Sequence, residues 1–287
     1  MSHLKTNKLN VLSTLTLGAL FSLSATAAPM SLEGPIQEII NNGDGTGTVT
    51  VMNIVVQIPA GILITSPTVS LTMSQLADPT PLPGRAPIAG FLGGTAIISG
   101  DSTNGWNVAN DVFVEPSENV LMGEVTHSCT SAACDSAGDQ LFISGTEMVR
   151  IDDARMVANP AINGTGLEID LSTVAQGGGA SAEGYFGADN LFHYFIIEAE
   201  GGLVNPAIDE VSIARARCRD GKDMRVLGGV SQSSGTVTVI NYGTTPIIPD
   251  ALTGLGTYSY RLNNINTCPE SVTVQFNNAT ATANTTN

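Results

Sequence analysis

The amino-acid sequence predicts an all-β protein built from several small β-domains, and three observations lead to this prediction. Glycine is abundant, with 31 residues in a chain of 287, whereas only 13% of the residues are charged. Runs of β-branched residues, such as GTVTVMNIVVQI over 47–58, alternate with Asn-Gly and Asp-Gly steps that are typical of hairpin turns. The same order of segments recurs further along the chain, which indicates an internal duplication.

The N-terminal segment has the features of a cleavable secretory signal peptide. Lys5 and Lys8 precede an apolar run, and Ala25-Thr26-Ala27 forms an A-x-A cleavage site. The alternative is an uncleaved membrane anchor, but the apolar run is too short to cross a bilayer comfortably. We therefore predict a signal peptide over residues 1–27. The mature protein is expected to be exported, to a periplasmic, cell-surface or extracellular location, with no membrane insertion after cleavage.

The first predicted domain, residues 28–122, has the strand order of a small barrel. Strands that include the run over 47–58 precede a short helical pattern over 70–77. After a Pro-rich loop, two more strands are expected over 91–99 and 106–115. Three strands, a short helix and two further strands are the order of a Greek-key barrel of the OB type.

The same order restarts in the second predicted domain, residues 123–205. A strand pair is expected over 141–157, the segment 169–178 takes the place of the short helix, and 183–202 matches the late strands of the first domain. Both domains resemble the small OB-like barrels of exported bacterial proteins, on the segments GTVTVMNIVVQIP, PGRAPIAGFLGGTAIISGD and DVFVEPSENVLMGEVT. This resemblance implies a fold and no catalytic residue.

The third predicted domain, residues 206–277, has strands at the spacing of a β-sandwich. Its strand segments are VSIARARC, DMRVLGGV, GTVTVIN, GTYSYRL and SVTVQF. The domain resembles bacterial immunoglobulin-like domains, in which a Gly-x-Tyr run like GTYSYR leads into a late strand. It differs from antibody-type domains in having no core Trp and no Cys two residues after a Tyr. The polar tail over 278–287 is expected to be disordered.

Four cysteines follow the predicted signal peptide, and an oxidising compartment favours two disulfides. Sequence alone permits three pairings, and the pairing that we predict joins Cys129 to Cys134 and Cys218 to Cys268. The chain-entropy model assigns about 2 kcal/mol to the short loop and about 4 kcal/mol to the long one. The alternative is a metal site on His127, Cys129 and Cys134, which needs a fourth ligand. We predict no metal site and no cofactor.

Motifs of the common enzyme classes are absent from the sequence, which contains no H-E-x-x-H, G-x-S-x-G, P-loop or G-x-G-x-x-G between strand and helix. Pairs of acids such as Glu198 and Glu200 would suit a hydrolase, but such pairs are expected by chance among 26 acidic residues, so a hydrolase is the least supported class. His193, in the aromatic segment LFHYF, is expected to be a packed or half-exposed strand residue. The sequence therefore assigns no catalytic residue.

Charge placement supplies the main functional prediction. Without the signal peptide, nine basic residues face 26 acidic ones, a net charge of −17, so nucleic acid and anionic membranes are poor partners. Five basic residues nevertheless fall within eleven positions: Arg215, Arg217, Arg219, Lys222 and Arg225. In an extended strand the first three share one face. This face is either a solvated surface or a docking site for an acidic protein, a second copy of the chain or an anionic surface polymer.

These features predict a non-catalytic structural or interaction protein of the bacterial periplasm or cell surface. Small β-domains of this kind present loops and edges to partners more often than they carry out chemistry. The alternative is a protein that binds an oligosaccharide or a peptide on an OB-type barrel face.

Overall fold

The structure, a computed structural model, describes residues 27–103, 105–117, 119–131, 134, 139–205, 207–250 and 253–286. The predicted signal peptide, apart from its last residue, lies outside the described residues. The first strand begins at Ala28, the residue predicted to start the mature chain. No helix within the described ranges is long and apolar enough to cross a membrane.

Seven strands and one short helix form the first unit: β1 (Ala28–Asn41), β2 (Gly47–Val51), β3 (Ile54–Ile58), β4 (Leu63–Thr65), β5 (Ser70–Leu71), α1 (Met73–Leu76), β6 (Thr95–Thr103) and β7 (Trp106–Glu115). Five of the strands close a barrel in the order β1-β2-β3-β7-β6, and β6 pairs back to β1. Within this barrel only β3 and β7 are parallel. Helix α1 has a capping box formed by Thr72 and Gln75, and it buries Met73 and Leu76.

The second unit repeats this topology with β8 (Asn119–His127), β9 (Phe142–Ile143), β10 (Thr146–Arg150), a 3-10 helix (Leu171–Thr173), β11 (Gly179–Phe186) and β12 (Phe192–Ala199). The strands close in the order β8-β9-β10-β12-β11, and β10 and β12 form the parallel pair. A helical turn again separates the third strand from the fourth. The prediction of two tandem OB-like barrels is therefore confirmed. The boundary differs from the one predicted, because β8 starts at Asn119 and runs through Gly123 without a break.

The third unit contains β13 (Arg215–Cys218), β14 (Asp223–Val230), β15 (Thr236–Val239), β16 (Gly243–Pro246), β17 (Ile248–Pro249), β18 (Gly256–Asn263), β19 (Ser271–Phe276) and β20 (Ala279–Asn284). The strands form two antiparallel sheets, β13-β14-β18-β17 and β16-β15-β19-β20. Both sheets contribute to one core, with Val226 and Tyr258 from the first and Val237 and Val274 from the second. The unit is a β-sandwich.

The last segment of the chain was expected to be a disordered tail, and this expectation is wrong for the residues that form β20. Asn277 has a positive φ of 49°, so the chain turns back and pairs along the whole of β19. The alternation of Ala and Thr in β20 suits an edge strand with one face toward the core. The chain then crosses to the other sheet. There the Cys218 N–H donates to the Thr286 carbonyl at 2.8 Å and the Thr286 N–H donates to the Ala216 carbonyl at 3.0 Å.

The two barrels share a packed and hydrogen-bonded contact. Tyr185 and Phe195 of the second barrel belong to the same buried cluster as the core of the first. Arg155, also buried, forms an ion pair with Asp153, and its Nη1 donates to the Thr80 carbonyl of the first unit at 2.8 Å. This contact holds the loop after α1 against the second barrel.

Both cysteine pairs are disulfide-bonded, Cys129 with Cys134 and Cys218 with Cys268. The first bridge closes a short loop after β8. The second joins the end of β13 to the loop between β18 and β19, so it connects an edge strand of one sheet to the segment that enters the other. Because Cys129 and Cys134 are bonded to each other, they are not free thiolate ligands. Within the described part of the chain, no group of three or more His, Cys, Asp or Glu side chains is placed to hold a metal ion.

Candidate functional site

Four of the five basic side chains singled out in the sequence lie on, or directly beside, the outward face of the sheet β13-β14-β18. In β13, Ala216 and Cys218 are buried in the sandwich core, so the alternating arginines point outward. The strand register places Arg217 opposite Arg225 of β14, and Arg225 opposite Arg261 of β18. A row of three arginines therefore crosses three neighbouring strands. We call Arg215, Arg217, Arg219, Arg225 and Arg261 the arginine face.

A cavity of about 340 Å³ opens on the arginine face, and four of the five predicted partner-binding residues line it. They are Arg215, Arg217, Arg219 and Arg225, together with Asp223 and Leu227. The fifth predicted residue, Lys222, is not part of the lining, because it lies in the exposed turn between β13 and β14. The structure thus separates the predicted cluster into four converging arginines and one lysine beside them.

A single carboxylate, that of Asp223, lies among the residues that line this cavity. Its Oδ2 is 2.9 Å from Nε of Arg225 and 3.1 Å from Nη2 of Arg261. The hydrogen bond from Arg225, helped by the positive charges of the neighbouring arginines, lowers the pKa of Asp223. Asp223 therefore stays ionised at neutral pH. Five guanidinium groups against this one carboxylate leave an excess of four positive charges on the arginine face.

Arg217 lies at the end of the arginine row, and its guanidinium is incompletely hydrogen-bonded. Its Nε is buried and forms no hydrogen bond with any described residue. A buried donor without an acceptor costs about 1–3 kcal/mol, and like charges directly opposite each other in a sheet are also unfavourable. An oxyanion bound beside Arg217 would relieve both costs, because the guanidinium fork matches carboxylate, sulfate and phosphate oxygens.

Sequence reasoning missed Arg261, because it lies far along the chain from the other arginines. A local signal was present in GTYSYRL: Tyr258 and Tyr260 are buried, so Ser259 and Arg261 must face outward. What the sequence could not supply was the pairing of β18 with β14, which brings Arg261 next to Arg225.

His193, expected to be packed or half-exposed, is buried, and it has a carboxylate partner that the sequence did not reveal. Its Nε2 is 2.9 Å from Oδ2 of Asp189, and its ring stacks on that of Tyr185. The pair packs against Gly84 of the loop after α1, at the contact between the barrels. This environment is that of a packed residue at an interface between units.

No protein-family model, no curated protein and no solved structure matches this chain. The functional assignment therefore rests on the geometry and charge of the site itself.

Proposed function

We propose that this chain is a non-catalytic, exported interaction protein of the bacterial periplasm or cell surface that binds an anionic partner on the arginine face. The observation that carries the proposal is the row formed by Arg217, Arg225 and Arg261, which a single carboxylate partly neutralises. The partner presents carboxylate, sulfate or phosphate groups, either on a protein surface or along a surface polymer. The net charge of −15 for the whole chain makes this face the exception on an acidic molecule.

Two further observations support the exported location. The described cysteines are all in disulfides, which persist in oxidising compartments and are rare in the cytosol. The sequence before Ala28 has the three regions of a signal peptide.

The sandwich is well suited to present the arginine face. Its outward arginines stand on strands whose opposite face forms the core, so their backbone positions are fixed by packing. The Cys218–Cys268 bridge anchors the end of β13. We assign the sandwich to the immunoglobulin-like class on the strength of the GTYSYR segment and the two opposed sheets.

Matched charge reversals test the proposal. The mature protein, immobilised on a sensor surface, is titrated with polyglutamate and with heparin, which offer carboxylates and sulfates, and its self-association is followed by sedimentation. Arg217→Glu is expected to weaken binding of the anionic partner at least tenfold. Lys222→Glu is the matched control, because it changes the net charge by the same amount but lies outside the cavity. It should weaken binding of the anionic partner much less.

Salt and the choice of anion complete the test. Because the contact is ionic, its affinity should fall as the salt concentration rises. Arg217→Lys, which keeps the charge but loses the fork, should bind more weakly than the wild type. Equal loss in Arg217→Glu and Lys222→Glu, or an absence of binding and of self-association in the wild type, would refute the role of the arginine face.

A second candidate function, binding of an oligosaccharide or a peptide to a barrel face, is favoured by one observation in the first barrel. Trp106 is 64% exposed at the start of β7, and Val55 on the neighbouring strand β3 is 53% exposed. Trp106 and Val55 lie close together, because the next residues of the two strands, Asn107 and Val56, are paired. The side-chain Nδ2 of Asn107 also donates to the Val55 carbonyl at 3.2 Å. An exposed indole is a stacking surface for a sugar ring or an apolar side chain.

The chain contains a single Trp, so its fluorescence reports on this barrel face alone. Titration of the protein with a set of oligosaccharides and peptides should shift the emission of Trp106 if this face binds them. The variant Val55→Asp should abolish the shift, and a ligand that binds without changing the emission would count against this face.

A further inference from the structure

A second and larger cavity lies away from the arginine face, against the second barrel. Its volume is about 730 Å³, within the range of roughly 300–1,000 Å³ that is usual for pockets that enclose small ligands. Arg150 and Tyr194, on the paired strands β10 and β12, line it from the barrel. The segment that leads from β12 toward the sandwich lines the other side with Leu203 and Ile208.

Seven of the fifteen residues that line this cavity are aliphatic, and seven are polar or charged. Ile169, Leu171 and Val204 are buried there, whereas Leu203 and Ile208 are 64% and 59% exposed. Contact of exposed aliphatic side chains with water is unfavourable. A bound apolar group would remove this surface from water and would be stabilised by doing so. Tyr194 is the one aromatic residue of the lining, so the cavity offers little stacking surface for sugar rings. The apolar part of the wall therefore favours aliphatic groups of a ligand.

Charged groups of both signs line the same cavity. Arg150 forms no ion pair with any described residue. Glu168 and Glu210 lie next to each other, and the Glu168 N–H donates to Oε1 of Glu210 at 2.6 Å. Burial, with an added contribution from the negative charge of Glu168, raises the pKa of Glu210. A cation placed beside the two carboxylates would be stabilised by both of them.

Asp170, a third acid in the lining, already has a structural role. Its Oδ1 accepts hydrogen bonds from the Ser172 N–H at 2.9 Å and from the Ser172 hydroxyl at 2.6 Å, at the start of the 3-10 helix. Asp170 keeps its negative charge, but these bonds fix its orientation at the 3-10 helix. The groups that we assign to the ends of a ligand are therefore the guanidinium of Arg150 and the carboxylates of Glu168 and Glu210.

We propose that this cavity binds a short peptide with aliphatic side chains, whose amino group faces Glu168 and Glu210 and whose carboxylate faces Arg150. An apolar body with opposite charges at its ends matches the aliphatic part of the wall and the two kinds of charged group. The size of the cavity restricts the ligand to a few residues. The site shares no residue with the arginine face and goes beyond the function proposed for that face.

A defined peptide mixture tests this proposal on the full mature protein. An equimolar mixture of tetrapeptides built from Ala, Val and Leu, with free termini, is dialysed to equilibrium against the protein, and the retained peptides are identified by mass spectrometry. We expect saturable enrichment of a subset. Amidation of the peptide carboxylate, or acetylation of its amino group, should weaken the binding of an enriched peptide by about ten- to a hundredfold, because each removes one charge-assisted contact.

Variants of the protein assign each end of the peptide. Arg150→Met should weaken binding of the peptide with free termini by a similar factor. In this variant, amidation of the peptide carboxylate should have almost no further effect on binding. Glu168→Gln should reduce the effect of acetylation. Lys222→Gln, which removes one positive charge outside both cavities, serves as the control and should leave peptide binding unchanged.

Two results would overturn the proposal. The first is a dialysis in which no tetrapeptide is enriched over the buffer compartment. The second is a loss of binding that is equal in Arg150→Met and Lys222→Gln, since it would show that net charge and not this cavity determines retention. The modified peptides are measured on the wild-type protein, so this part of the test does not depend on the folding of any variant.

Discussion

Replacing Arg155 with methionine measures how strongly the contact between the two barrels stabilises the protein. The Arg155 side chain is only 5% exposed, and it forms a two-pronged ion pair with Asp153 at 2.9 and 2.8 Å. Its Nη1 also donates to the carbonyl oxygens of Thr80 and Asp78 at 2.8 and 3.2 Å. Methionine is similar in length to the aliphatic part of the arginine side chain, but it leaves the carboxylate of Asp153 and the two carbonyl oxygens without these donors.

The expected loss follows from these contacts. Removing one partner of a buried ion pair costs about 3–5 kcal/mol, and the carboxylate of Asp153, at 18% exposed, would remain mostly out of water without its partner. For a chain of this size each kcal/mol corresponds to about 2–4 °C in Tm, so the Arg155→Met variant should melt roughly 6–20 °C lower. Differential scanning calorimetry and urea titration followed by circular dichroism would measure this loss. Arg150→Met, at a partly exposed position without an ion pair, is the control and should change the free energy of unfolding by less than about 1 kcal/mol.

The dependence on pH gives an independent check of the same contact. The hydrogen bond from Arg155 lowers the pKa of Asp153 in the folded protein. A carboxylate with a lowered pKa stabilises the fold at neutral pH, and this stabilisation is lost as the pH falls through the lowered value. The difference between wild type and Arg155→Met should therefore be largest at neutral pH and should shrink in acid. A loss below about 1 kcal/mol at pH 7, or a difference that grows in acid, would refute the reasoning.

Three further predictions concern other contacts. Cys218→Ser should lower the free energy of unfolding by about 4 kcal/mol and Cys129→Ser by about 2 kcal/mol, because the first bridge closes the longer loop; the reverse order in urea titrations would contradict this. Gly84→Ala should destabilise the protein by about 1–3 kcal/mol more than Gly93→Ala. Both glycines have a positive φ, 70° and 72°, but only at Gly84 would the new Cβ meet the buried imidazole of His193. Similar melting temperatures of the two variants would exclude the clash. Glu210→Gln should be more stable than the wild type at pH 7, because burial raises the pKa of this carboxyl, and the difference should vanish once acid protonates Glu210; a difference that is the same at both pH values would rule out the charge as its cause.

The barrels could be predicted because local sequence patterns indicate the order of their strands and helical turn. Several details of the barrels depend instead on contacts between distant segments. Met52 and Asn53 form the two-residue turn between β2 and β3 with φ values of 49° and 64°. Turns with two positive φ values favour Asn and Gly, and Met is not typical of them, so the turn is hidden inside an apparently continuous run. The parallel pair of β3 with β7 joins residues about fifty positions apart, and no local pattern indicates it.

The same distinction holds for the candidate site. The arginines of β13 and β14 could be found because they lie close together in sequence and alternate with small or apolar residues. Arg261 and Asp223 acquire their roles only through the register of β14 with β18. The cavity of the second barrel was not predicted at all, because its lining comes from five separate segments that meet only in the folded chain.

The pairing of Thr286 with β13 affects how the sandwich can meet other molecules. An unpaired edge strand is a template on which another chain can add a strand, and such additions lead to fibres that salt does not dissolve. Thr286 occupies the hydrogen-bonding groups of Ala216 and Cys218 at this edge. A partner of the arginine strand must therefore engage its side chains and not its main chain. Binding of a partner to this sheet is then expected to be reversible and to weaken as the ionic strength rises.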